Sequence, residues 1–225
     1  GNFVTQITGN IINTTVNSGI NTDAIVNSNI SNNTISNTGQ QGIQVAGFSS
    51  NVNVFNNVIT NANTSLGVDR GGIRIRGTNY TGPVDISNNI ISGSLNGIAV
   101  ANGENITGKM ITVNDNNLSG NAASVYHGGT GSLDAECNWH GSNNFNTIQT
   151  QLAGSGASNI DFVSYLTSNG DGPGFGFQPT GTCNGTPVII TNVTTTPVLC
   201  GPTVGNIAVT FSGGTGTYTI AWAGP

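Results

Sequence analysis

The segment Ile86-Ser-Asn-Asn89-Ile-Ile91 sets apolar residues around an asparagine in the order apolar, x, x, Asn, x, apolar. The same order returns as Ile7-Thr-Gly-Asn10-Ile-Ile12, Ile30-Ser-Asn-Asn33-Thr-Ile35, Val54-Phe-Asn-Asn57-Val-Ile59 and Val113-Asn-Asp-Asn116-Asn-Leu118, with a weaker copy in Ala135-Glu-Cys-Asn138-Trp-His140. Successive asparagines stand 23, 24, 32, 27 and 22 residues apart. A recurrence at this period marks a repeat unit of somewhat over twenty residues.

A second element follows each asparagine at a nearly fixed distance: Gly19-Ile20, Gly42-Ile43-Gln44-Val45, Gly72-Ile73-Arg74-Ile75, Gly97-Ile98-Ala99-Val100 and, more loosely, Ser124-Val125-Tyr126. Only the unit of Asn57 is late, which places an insertion around residues 61–70. Apolar residues two apart also precede most asparagines, as in Val52/Val54, Val84/Ile86 and Ile111/Val113, the period of a strand with one buried face. One such coil cannot bury its apolar side alone, whereas stacked coils form a continuous core and satisfy each other's backbone. The expected architecture is therefore an all-β parallel solenoid. Its recurring asparagines form a ladder of side-chain amides, Asn10, Asn33, Asn57, Asn89, Asn116 and Asn138, each also suited to left-handed turn geometry.

Composition agrees with a thin body. Of 225 residues only 6% are charged, against roughly a quarter in an ordinary soluble domain, and Gly supplies 34 positions. Four basic residues and a net charge of -5 leave no footprint for phosphate backbones, so nucleic acid is excluded as a partner. No apolar run reaches the roughly 18 residues of a membrane span, so no membrane insertion is expected. The asparagine-rich composition alone would also suit a disordered tract, but the periodicity argues against it. The absence of an initial Met and an ending in mid-pattern suggest a segment of a longer polypeptide.

The coil length, single asparagine ladder and Gly-Ile strand resemble the right-handed parallel β-helix of the pectate-lyase-like superfamily, over residue 1 to about residue 179. Asn138-Trp139-His140-Gly141-Ser142 and Phe162-Val163-Ser164-Tyr165-Leu166 look like the Asn-Trp-Trp-Gly-Ser signature and last strand that close such helices, with His140 in place of the second Trp. Between them, Phe145, Ile148 and Leu152 suit one face of a short helix, capped by Asn143 or Asn144 and stopped by Gly154, an expected C-terminal cap. Residues 1–169 then form the capped β-helix and the Gly- and Pro-rich residues 170–187 a linker. Residues 188–225, with strands over 188–193, 206–211 and 217–222, resemble part of an Ig-like β-sandwich, the SprB-type repeat of Bacteroidetes surface adhesins.

Three cysteines leave one without a partner. Cys137, in the last coil, is expected to pair with Cys183, and Cys200 to await a residue beyond the chain given, in an oxidising location. Neither Cys-x-x-Cys nor ligand-like His spacing is present, so no metal site is expected.

Relatives of this architecture degrade acidic polysaccharides, so the outward carboxylates and cations are the candidate site. Asp85 and Asp134 sit four residues before their ladder asparagines, two coils apart on one outer stripe with Thr112 between them. Arg74 and Arg76 alternate with Ile73 and Ile75 and should face outward, in register with Gln44, Ala99 and Tyr126 and near Asp69 and Arg70. A guanidinium fork beside an aromatic ring suits a glycan or carboxylate, making Arg74, Arg76 and Tyr126 the expected ligand-binding residues. The functional expectation is an extracellular or cell-surface adhesion or spacer module that contacts surface glycans and has no cofactor. Its rival is a polysaccharide lyase or glycoside hydrolase centred on Asp69, Arg74 and Asp85, using calcium if a lyase.

Overall fold

The computed structural model describes residues 4–77, 79–185, 189–196 and 206–212. Three parallel sheets run along a solenoid of about 6 turns, and the described residues contain almost no helix. A seven-stranded sheet begins with Val4–Thr8, Val26–Ser31, Ser50–Phe55 and Val84–Ser87 and continues through Ile111–Asn114. A four-stranded sheet stacks Ile11–Thr15, Thr34–Thr38, Val58–Thr60 and Ile90–Ser92. A six-stranded sheet runs from Ile20–Asp23 through Ile43–Ala46, Ile73–Arg76, Asn96–Val100 and Ala123–His127 to Leu152–Ala153.

Alternation within these strands builds the core. Val52, Val84 and Ile111 stack in register in the first sheet, Ile35, Ile59 and Ile91 in the second, and Ile43, Ile73, Ile98 and Val125 in the third, all buried. Each contributes roughly 1.5–3 kcal/mol by leaving water. The glycines that open the third strand are fixed by close approach. A Cβ on Gly72 would lie 2.2 Å from the Ile91 side chain, and one on Gly42 would lie 2.6 Å from that of Ile59.

The asparagine doublets divide two tasks that sequence reasoning had assigned to one residue. The first member turns the corner: Asn32, Asn56 and Asn88 take φ of 54°, 53° and 57°, with Gly9, Asp115 and Cys137 at equivalent places in other coils. The second member faces inward and carries the ladder. Nδ2 of Asn10, Asn33, Asn57, Asn89 and Asn116 donates to Oδ1 of the next asparagine at 2.8, 2.9, 2.9, 2.9 and 2.9 Å. Each Oδ1 also accepts the backbone N–H of the preceding asparagine, at 2.9–3.1 Å. Asn138 ends the series, its Nδ2 donating to the carbonyls of Val113, Ala135 and Glu136.

The C-terminal part departs from the expected boundaries. The helix is Phe145–Thr150, with Asn144 Oδ1 accepting the Thr147 N–H, but Leu152 lies outside it and pairs with Val125 in the six-stranded sheet. Residues 170–179, expected as a linker, are anchored on the solenoid. Phe177 is buried, its N–H donates to Asn88 O at 2.8 Å, and Gln178 Nε2 donates to Asn56 Oδ1 at 3.0 Å. The corner row of left-handed asparagines thus doubles as a docking strip, which composition did not reveal. A Cys137–Cys183 disulfide and antiparallel pairing of Tyr165–Leu166 with Cys183–Gly185 fix the far end of this segment. Further on, Ile189–Thr196 pairs antiparallel with Asn206–Ser212. Cys200 and the expected strand over 217–222 lie outside the described residues.

Candidate functional site

Arg74 occupies the outer row of the six-stranded sheet, in register with Gln44 and Ala99, and Ala99 is followed by Tyr126. Its backbone direction is outward, as alternation requires, yet its side chain is only 8% exposed. The inserted residues 61–70 fold over the outward guanidinium and engage it in a local ion pair. Nη2 pairs with Asp69 Oδ2 at 2.7 Å, Nε donates to Asp69 O at 3.0 Å, and Nη1 donates to Gln44 Oε1 at 3.2 Å. Asp69 Oδ2 also accepts the Asn102 N–H at 3.2 Å. Partial burial alone would raise the Asp69 carboxyl, but the Arg74 and Asn102 hydrogen bonds and the guanidinium charge outweigh it and hold the group below its ordinary value.

Two further amides make the insertion rigid. Asn63 is buried, donates to the carbonyls of Gly67 and Arg70 and accepts the Gly67 N–H. From the next coil, Asn96 donates to the carbonyls of Val68 and Arg70 at 3.0 and 2.7 Å. These amides carry the loop, and composition could not single them out among so many asparagines.

Arg76 is exposed, and Tyr126 is half-buried with its hydroxyl donating to Asn102 Oδ1 at 2.7 Å. Tyr126 lies two coil steps from Arg74, roughly 10 Å along the stack. The three expected ligand-binding residues therefore share a side of the molecule without closing on one point.

Asp85 does not join Asp69 and Arg74. It lies on the seven-stranded sheet, in register between Asn53 and Thr112, and accepts the Thr112 hydroxyl at 3.1 Å. The expected catalytic trio is thereby divided between two sheets. The outer row containing Asp85 continues from Thr112 to Asp134 and on to Asp161, a neighbour that sequence reasoning missed because the last coil lacks the repeat motif. Glu136 stands beside this pair, its carboxyl raised by burial and then by the charges of Asp161 and Asp134. Asp115 is raised by burial and by the charge of Asp85.

Both histidines are buried. His127 Nε2 lies 2.8 Å from Gly131 O, and Nδ1 accepts the Gly129 N–H at 3.3 Å. His140 follows Leu118 in the interior column of the second sheet, its Nδ1 2.8 Å from Ser124 Oγ and its ring edge-on to Phe162. Burial alone lowers its imidazole to about 4. Among the described residues no group of three or more His, Cys, Asp or Glu side chains is arranged to hold a metal ion. No known family model, curated protein or solved structure matches the chain.

Proposed function

We propose that this chain is a rigid β-helical module of a secreted or cell-surface protein, serving as an adhesion element or spacer, with glycan contact through Arg76 and Tyr126. The observation that carries the reading is the ladder itself. Six asparagines link successive coils by side-chain bonds in addition to the sheet bonds, so bending the body breaks both sets together. The Cys137–Cys183 disulfide supports an oxidising, extracellular location. The resemblances noted in the sequence support the finer parts of the reading: a right-handed, pectate-lyase-like helix, a C-terminal cap from Asn138 to Leu166, and a partial SprB-type Ig-like module after residue 187.

The engagement of Arg74 with Asp69 and Gln44 favours this reading over a lyase, because a base or charge clamp must be free to meet substrate. Glycan arrays with and without calcium, together with pectin and alginate turnover assays, test it. Binding lost in an Arg76→Ala/Tyr126→Ala variant is the expected result, and turnover abolished by Arg74→Ala would overturn it. One observation keeps a hydrolase in view at a different place. Asp134 and Asp161 are register neighbours about 5 Å apart along the stack, near the carboxylate separation of retaining glycosidases. Activity lost in Asp161→Asn but kept in Asp85→Asn would establish that alternative.

A further inference from the structure

The four-stranded sheet differs from the other two in its outer face. Its strands and the turns that follow them, residues 11–17, 34–40, 58–64 and 90–95, contain no charged residue. With Ile12, Ile35, Ile59 and Ile91 directed inward, two rows look outward. The first is Ile11, Thr34, Val58 and Ile90, all β-branched and therefore stiff at χ1. The second is Asn13, Ser36, Thr60 and Ser92, all small and polar.

Pairing across the four strands shows no register shift. Methyl-bearing and polar positions thus form a grid with repeats of about 4.8 Å along the stack and roughly 6.7 Å along each strand. Stacking and side-chain ladders keep such sheets flat against their natural twist. Here the interior ladder borders one side. On the other side, Asn61 donates to Asn37 and Asn37 to Asn13, at 2.7 and 2.9 Å.

We infer that this face binds the ordered water lattice of an ice surface. The occupant must be neutral, because the face offers no charge, and periodic, because its four strands stack in register. A neutral sugar polymer calls for aromatic platforms, and none lies in these four strands; Trp139 continues the first row only two coils further on, beyond Asn117. Fixed methyl groups fit the openings of a hydrogen-bonded water layer while the adjacent hydroxyls and amide join it. A grid already held by the fold loses little conformational entropy on contact.

The experiment uses the whole chain in ice-recrystallisation and freezing-hysteresis assays against serum albumin at equal mass concentration. Wild type and Asn53→Lys, which adds a positive charge to the outer face of the seven-stranded sheet instead, should both restrain ice growth. Val58→Lys/Thr60→Lys should lose the effect while keeping the wild-type circular dichroism and melting curve. If that double variant fails to fold, Ser92→Tyr, which breaks the grid without adding charge, takes its place with the same expected loss. Wild type no better than albumin, or full activity in a folded face variant, would overturn the inference. Loss in Asn53→Lys as well, or retention of wild type on crystalline cellulose without any effect on ice, would equally overturn it. The ice readouts do not depend on glycan binding by Arg76 and Tyr126, so the two readings fail separately.

Discussion

Replacing Asn89 by Ala would strand polar groups on two coils at once. Asn57 would lose the acceptor for its N–H and Nδ2, and Val54 O and Ser87 O would lose a donor, all at buried or half-buried positions. A cost of about 2–5 kcal/mol is expected, read as a fall in the urea midpoint. Asn10→Ala, at an exposed end of the ladder, should cost well under half of that. The ladder positions were legible because buried amides must be satisfied identically in each coil. The corner residues beside them were not separable, since Asn suits both tasks.

His140 gives a pH dependence at the same scale. Its folded value of about 4 lies below the ordinary 6.5, so the unfolded chain binds the proton more readily. The contribution to stability is therefore complete above pH 6.5, declines as pH falls, and is gone once pH has passed through about 4. The difference corresponds to about 3 kcal/mol. Denaturant titrations between these pH values should show the decline in wild type and a flatter profile in His140→Leu. An unchanged slope would remove His140 as its source.

Among the elements, the inserted loop 61–70 is the one whose behaviour depends most on single side chains. Arg74→Ala removes its ion pair with Asp69 and both other guanidinium bonds, so amide hydrogen exchange across residues 66–70 should speed up, with a local loss of about 1–3 kcal/mol. Protection in the strands Val84–Ser87 and Ile111–Asn114, on a different sheet, should stay as in wild type. By contrast, Gly72→Ala should disturb the stack itself, because its new methyl meets Ile91, at a cost of about 1–3 kcal/mol. The position of the insertion was readable as a delay in the repeat. Its fold was not, because the partners that hold it, Gln44, Asn96 and Asn102, come from coils on either side.

At the scale of the whole molecule, the Cys137–Cys183 bond closes a separation of 46 residues. Loop closure of that length is worth up to about 4 kcal/mol by chain entropy. Reduction should therefore lower the melting temperature and release residues 170–185 to proteolysis before the coils, since what then holds them is the contact of Phe177 and Gln178 with Asn88 and Asn56 and the short pairing of Tyr165–Leu166 with Cys183–Gly185. Simultaneous digestion of both would show that the segment and the solenoid are one cooperative unit.

The sequence by itself determined the solenoid, its sheet faces and its asparagine spine, because stacking repeats every requirement at a fixed period and leaves a periodic trace. Only the tertiary structure decided which outward groups remain available. Arg74 is covered, Asp85 is parted from it by a change of sheet, Asp161 joins Asp134, and the supposed linker lies along the corner row. Each of these depends on contacts between coils or segments without a common period, and such contacts are set by where the chain folds back rather than by what it repeats.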